Sequence, residues 1–224
     1  MEEKDGSTPP LHCVVCVEEI DCEKHLHAVG PCNHLGVCSL CYLRLRKLLK
    51  EMSCVLCKTE MDRVMVCDSE SLRPFEDFHV WGDSAGPGYE WEEQSRMFLP
   101  KSYSQGYVRM LQEHRCHTEG CHHPKYDHMQ GLEKHLREQH KLYFCKVCLR
   151  ERKVFLMEQT TYTRSQLDQH IRQGNPELGF KGHPRCEFCK TRYYNNTQLH
   201  QHLVKDHFSC HLCEKMGILH KVHD

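Results

Sequence analysis

Eight residues of ligand type, Cys13, Cys16, Cys32, His34, Cys38, Cys41, Cys54 and Cys57, follow one another at the spacing C-x2-C-x15-C-x-H-x3-C-x2-C-x12-C-x2-C. Four close pairs of thiol and imidazole donors match two tetrahedral zinc ions, because zinc takes four such ligands and a short loop supplies two at a time. Spacing alone does not decide whether the pairs are used in sequence or alternately. Either way, four protein donors leave no position for an activated water, so these metals fold the domain and perform no Lewis-acid chemistry.

A second series fills the C-terminal half. The phrases Leu132-x2-His135-Leu136, Leu167-x2-His170-Ile171 and Leu199-x2-His202-Leu203 recur, each after a close Cys pair. The repeat reads as a small ββα-like C2H2 finger whose helix buries a Leu and presents His from the same face. Cys186-x2-Cys189-x12-His202-x4-His207 has the C2H2 spacing, and Cys116-x4-Cys121-x13-His135-x4-His140 departs from it slightly. The middle unit is irregular: Cys145 and Cys148 stand far from His170, with no His in the next five residues. His183 is its expected fourth ligand, and a three-ligand site is the alternative. His117, His122, His123, His128 and His200 are expected to be bystanders. Cys210-x2-Cys213, with only His220 and His223 after it, reads as a truncated finger. Ligand counting predicts about five zinc ions per chain.

Seventeen Cys and 20 His in 224 residues mean that something other than a large apolar core organises the fold. A secreted disulfide scaffold fits poorly. Met1 is followed by Glu2, Glu3, Lys4 and Asp5 without an apolar h-region, the Cys count is odd, and most Cys sit in C-x2-C pairs with His downstream. A thiol-disulfide enzyme fits no better, since redox motifs lack ordered His partners at ligand spacing. The expectation is a reduced, cytoplasmic protein without a membrane span. Charge is uneven: eight acidic residues and one Arg lie between Asp68 and Glu93, whereas Lys134, Arg137, Lys141, Lys146, Arg150, Arg152 and Lys153 make a basic stretch around Tyr143 and Phe144. The first stretch should avoid RNA, and the second can meet phosphates and bases.

The N-terminal ladder resembles a RING domain. That resemblance implies a cross-brace, with Cys13, Cys16, Cys38 and Cys41 on one zinc and Cys32, His34, Cys54 and Cys57 on the other. A helix is expected over Ser39–Glu51, with Ser39 as N-cap, Leu40, Leu43, Leu48 and Met52 inward, and Arg44, Lys47 and Lys50 toward water. Carried over residue by residue, Val15 and Leu56 would touch a ubiquitin-conjugating enzyme (E2). Lys58, after the last ligand, would hold the closed E2–ubiquitin thioester. Val55 departs from the pattern, since many active RINGs have Pro there. Cys22, His25 and His27 are left over and expected not to be ligands.

The whole order resembles a family of RING and C2H2 zinc-finger E3 ubiquitin ligases that sense collided ribosomes. The most specific phrases are Trp81-Gly82-Asp83-Ser84-Ala85-Gly86-Pro87, Ser95-Arg96-Met97-Phe98, Tyr143-Phe144-Cys145 and Gly182-His183-Pro184. The organisation expected is a disordered leader (1–10), the RING (11–66), an acidic connector (67–112), fingers at 113–142, 143–184 and 185–208, and a truncated finger or tail (209–224). The fold class is small zinc-stabilised modules. Family members continue into a long low-complexity region, so the resemblance implies the expectation of a fragment, a short isoform or a divergent shortened relative. The resemblance implies ubiquitin transfer to small-subunit ribosomal proteins, with E2, ubiquitin and the ribosome as partners and rRNA or mRNA as further contacts. The competing reading is a non-enzymatic zinc-finger regulator that binds RNA or a ribonucleoprotein and uses its RING only for protein contacts. Regular tracking of a DNA groove is not expected from fingers so unlike one another.

Overall fold

The computed structural model describes residues 11–20, 23–122, 125–175, 179–209 and 222–223. The expected leader, Cys22, His123, and the expected truncated finger apart from the backbone of Ser209, Val222 and His223 lie outside these residues. The chain divides into two compact units, one ending at Glu113 and also including Lys153–Met157, the other formed by the remainder.

The first unit is built on a four-stranded sheet in the order β1-β2-β4-β3, comprising β1 (His27–Val29), β2 (Val64–Cys67), β3 (Tyr89–Glu92) and β4 (Met97–Pro100). β2 pairs antiparallel with β1, matching Ala28 to Val66, and parallel with β4, matching Val64 to Met97. The segment read as an acidic connector therefore supplies half the strands of the sheet. Side chains alternate across a strand, so β2 feeds two cores. Val64 and Val66 pack with α1 (Ser39–Leu48), while Met65 and Cys67 pack with Phe78 and Phe98 on the opposite face. Trp91 joins the second core at 4.7 Å from Phe98, and Trp81 is 80% exposed, so only one of the two Trp packs inward. Phe155, from Lys153–Met157, is buried in the first core.

A helix, α2, follows β4 directly as Lys101–Tyr103, a π turn over Ser104–Val108, and Arg109–Gln112. Tyr103, Val108 and Leu111 are its buried face. α1 ends at Leu48 rather than Glu51, and two further features differ from expectation. Cys38, not Ser39, is the cap residue, and Ser39 is fully buried because its hydroxyl accepts the Leu26 N–H at 3.0 Å and meets Tyr103 Oη at 3.0 Å. Lys47 does not face water but reaches Glu92 at 2.5 Å and Gln112 at 2.9 Å. Arg46 is completely buried and donates to the carbonyls of Ser95, Met52, Met61 and Asp62. A buried guanidinium is tolerable only when its donors are satisfied. Here that requirement ties α1 to the second zinc loop and to the turn before β4.

In the second unit the elements are short: α3 (Met129–His135, running on as a π turn over Leu136–His140), β5 (Tyr143–Phe144), α4 (Lys146–Glu151), β6 (Thr161–Tyr162), α5 (Arg164–Arg172) and α6 (Asn196–Asp206). β5 and β6 pair antiparallel, matching Tyr143 to Tyr162, as do β7 (Phe208–Ser209) and β8 (Val222–His223). Thr163 and Gln166 form a capping box at the start of α5, and Asn195 caps α6 through the Gln198 N–H. None of these helices is long enough to fold without the side chains packed around its cysteines and histidines.

Candidate zinc centres

Three loops share one hairpin-like knuckle. In each, the first Cys N–H meets a carbonyl five residues on (Cys13 to Glu18, Cys54 to Thr59, Cys186 to Thr191), and its own carbonyl receives an N–H from four residues on. The residue after the second Cys then turns into the left-handed region: Val17 at φ 65°, Lys58 at φ 62° and Lys190 at φ 62°. That turn aims both sulfurs at one point, and it explains why two residues separate them.

Among the described residues, five sets of donor atoms converge within 4.8 Å: Cys13, Cys16, Cys38 and Cys41; Cys32, His34, Cys54 and Cys57; Cys116, Cys121, His135 and His140; Cys145, Cys148, His170 and His183; Cys186, Cys189, His202 and His207. Both sets in the first unit use the pairs alternately, which is the cross-brace. Bonds of about 2.3 Å to sulfur and 2.05 Å to nitrogen give tetrahedral edges of roughly 3.3–3.8 Å. The observed edges are 3.8 Å for Cys16–Cys38, 3.3 Å for Cys121–His135 and for Cys145–His183, and 3.2 Å for His135–His140. Zinc is the ion these donors fit, since all-sulfur and mixed sulfur–imidazole tetrahedra suit it better than the hard cations.

The electrostatics agree. Cys38 is drawn down to about 4 by its hydrogen bond with Cys41 despite burial, while Cys41 is pushed far up by Cys38. Cys145 falls to about 3 beside Cys148, with His183 adding to the effect, and Cys148 is pushed up in turn. Sulfurs this close cannot all ionise unless a cation lies among them.

The second unit solves one geometric problem three ways. Histidines five residues apart do not share a face of an α-helix, which advances about 3.6 residues per turn. In α3 the last turn widens to π geometry over Leu136–His140, returning His140 to the face of His135. In α6 the helix stops at Asp206 and His207 turns extended at φ −129°. After α5 the chain doubles back. His183 N–H bonds Ile171 O at 2.8 Å, and Gly174 (φ 75°) and Gly182 (φ 82°) make the reversal where backbone atoms leave no room for a Cβ. His183, 1% exposed, thereby joins Cys145, Cys148 and His170.

Partners behind the ligands set the imidazole tautomers. His183 Nδ1 faces Tyr194 O at 3.3 Å, and His202 Nδ1 faces Asp206 Oδ2 at 2.8 Å, leaving Nε2 toward the metal in each case. Each first histidine also carries a tyrosine ring: Tyr126 on His135 at 5.4 Å, Tyr162 on His170 at 4.6 Å and Tyr193 on His202 at 4.5 Å. These tyrosines escaped the sequence reading, although each lies eight or nine residues before its histidine. His117, His122, His128 and His200 belong to none of the five sets. His25, expected not to be a ligand, likewise belongs to none of the five sets, although its Nδ1 lies 3.2 Å from Cys38 Sγ.

Val15 and Leu56 lie on the two knuckles of the first unit, each 47% exposed, with Val14 and Val17 exposed beside Val15. Lys58 is exposed after the last ligand, and Val55 packs against the first core.

Residues 8–81 match the family model of the ZNF598 RING finger domain. The chain is similar to the E3 ubiquitin-protein ligase ZNF598 of Danio rerio, 34% identical over 92% of this chain and 20% of that protein. It is similar likewise to ZNF598 of Homo sapiens (30% identical, 92% and 21%) and to the E3 ubiquitin-protein ligase hel2 of Schizosaccharomyces pombe (31%, 92% and 27%). The chain thus spans about a fifth to a quarter of the length of these relatives.

Proposed function

Since this chain belongs to the ZNF598 family, we propose that it is a RING-type E3 ubiquitin ligase that brings a ubiquitin-charged E2 to lysines of small-subunit ribosomal proteins on stalled or collided ribosomes. The observation that carries the reading is the pair of knuckles in the first unit, which turn Val15 and Leu56 outward although both are apolar. An exposed apolar pair on rigid, cross-linked loops is a surface for a protein partner. Zinc, when bound, supplies the cross-links, and the ligands proposed for it are the five converging sets.

No residue of this chain takes ubiquitin covalently in this reading. Val15 and Leu56 seat the E2, and Lys58 donates to the ubiquitin–E2 interface, limiting the thioester to conformations open to an attacking amine. Catalysis is positioning, which can lower a barrier by several kcal/mol without any protein nucleophile. Val55, in place of Pro, holds its loop by packing inward.

The second unit would place the RING on its target, in the cytoplasm. Its basic stretch, Lys141, Lys146, Arg150 and Arg152, suits phosphates of a structured RNA. DNA base reading is a poorer fit. The residue before a finger helix and its third residue read bases in such arrays. Here Thr163 and Gln166, and Asn195 and Gln198, are engaged in capping their own helices.

The test is a reconstituted reaction with activating enzyme, a panel of E2s, ubiquitin and purified collided ribosomes. Ubiquitin on small-subunit proteins above the ligase-free control is the expected result. Salt-sensitive ribosome binding without transfer by any E2 would replace the ligase with the non-enzymatic regulator.

A further inference from the structure

Among the described residues, Cys13, Cys16, Cys38 and Cys41 are the only converging set without an imidazole. Four thiolates around one divalent ion leave an excess of roughly two negative charges. Cys13, Cys38 and Cys41 are buried, so water can do little to spread that charge. One imidazole stands close by. His25 Nδ1 lies 3.2 Å from Cys38 Sγ and 3.8 Å from Cys16 Sγ, against the edge those sulfurs form.

The fold holds this histidine in place from both sides. Leu26 donates its N–H to Ser39 Oγ at 3.0 Å and accepts the Ser39 N–H at 2.8 Å. His27 bridges Cys38, and Tyr103 Oη donates to Lys24 O at 3.0 Å. The segment around His25 is therefore tied to the residues that carry Cys38 and open α1. A ring so fixed, with a nitrogen at hydrogen-bond distance from a buried thiolate, is placed to donate to it.

We infer that His25 is a positioning residue of the first zinc site, donating Nδ1–H to the Cys38 thiolate, and at longer range to Cys16, so as to hold the ion against loss. It is not a ligand in this account, and the inference does not depend on ubiquitin transfer.

Two measurements on the zinc-loaded full chain decide the matter. Nitrogen NMR of labelled histidine should find His25 as the Nδ1–H tautomer, with that proton protected from exchange. A metal-bound Nδ1, or protonation at Nε2 alone, would overturn the proposal. In transfer of zinc to a coloured chelator, His25→Ala should speed release of one ion by about tenfold or more, the scale of losses behind metal ligands. His25→Asn keeps an N–H near the same point without an imidazole ligand, and should restore most of the retention. Release from His25→Ala at the wild-type rate, or no recovery in His25→Asn, would refute the hydrogen bond. Should His25→Ala fail to retain its zinc during purification, the NMR of the unaltered protein still gives the answer.

Discussion

His183 Nε2 stands 3.2 Å from Cys148 Sγ across 35 residues of chain, and a reversal between Gly174 and Gly182 brings it there. At Gly174 a Cβ would lie 2.0 Å from Phe180 O, and at Gly182 it would lie 2.8–2.9 Å from backbone atoms of Arg172 and Ile171. Neither position accepts a side chain. Gly174→Ala and His183→Ala should each lower bound zinc from about five to about four per chain. Metal analysis of the purified variants checks this, and full retention in His183→Ala would remove it from the ligand set.

Arg46 satisfies four backbone carbonyls from the core of the first unit. Arg46→Met leaves those acceptors buried without it, at a cost of about 3 kcal/mol or more. Arg46→Lys offers a single cationic point in place of a planar fork and should recover less than half. Hydrogen exchange is the suitable readout: protection should fall together in α1, at Met61 and at Ser95. A loss confined to α1 would mean that Arg46 joins nothing beyond its own helix.

Glu92 is half-buried, which by itself would raise its carboxyl, yet hydrogen bonds from Lys47 and Ser95 hold it below the ordinary 4.5. A depressed carboxyl adds stability that is complete above the unfolded value and is lost only as pH falls through the folded one. Glu92→Gln should therefore cost about 1 kcal/mol, and the cost should stay constant from about pH 8 to about pH 5.5, above the range in which this group titrates. Denaturant melts across that range test it. A cost that changes within the window would point to a different titrating group.

On the proposed E2 surface, Val15→Arg places a charge where an apolar contact is expected. It should reduce ubiquitin transfer to background, since an unpaired charge in a desolvated contact costs several kcal/mol. Zinc content should not change, because Val15 is exposed. Lys58→Ala should slow discharge of the E2 thioester while leaving E2 binding nearly intact. Equal losses in binding and discharge would assign Lys58 to docking alone.

The converging Cys and His sets were legible in the sequence because zinc imposes local spacing, and C-x2-C is the length of one knuckle. His183 was legible only as the next available histidine; the doubling-back of the chain shows how it arrives. The cross-brace rested on a resemblance, since alternate and sequential pairing obey the same spacing. Ser39 and Lys47 were misjudged for a common reason. Their partners, Tyr103 and Glu92, lie beyond the expected end of the RING, and helical periodicity carries no information about them.

By itself the sequence determined which residues can bind zinc and where the charge lies, because these depend on residue type and short spacing. The tertiary structure alone decided that the acidic segment is half of the sheet rather than a connector. It also decided that Arg46 is internal and that His25 meets the first zinc site. Those outcomes depend on long-range pairing and on which buried polar groups must find partners, and neither leaves a periodic trace in the chain.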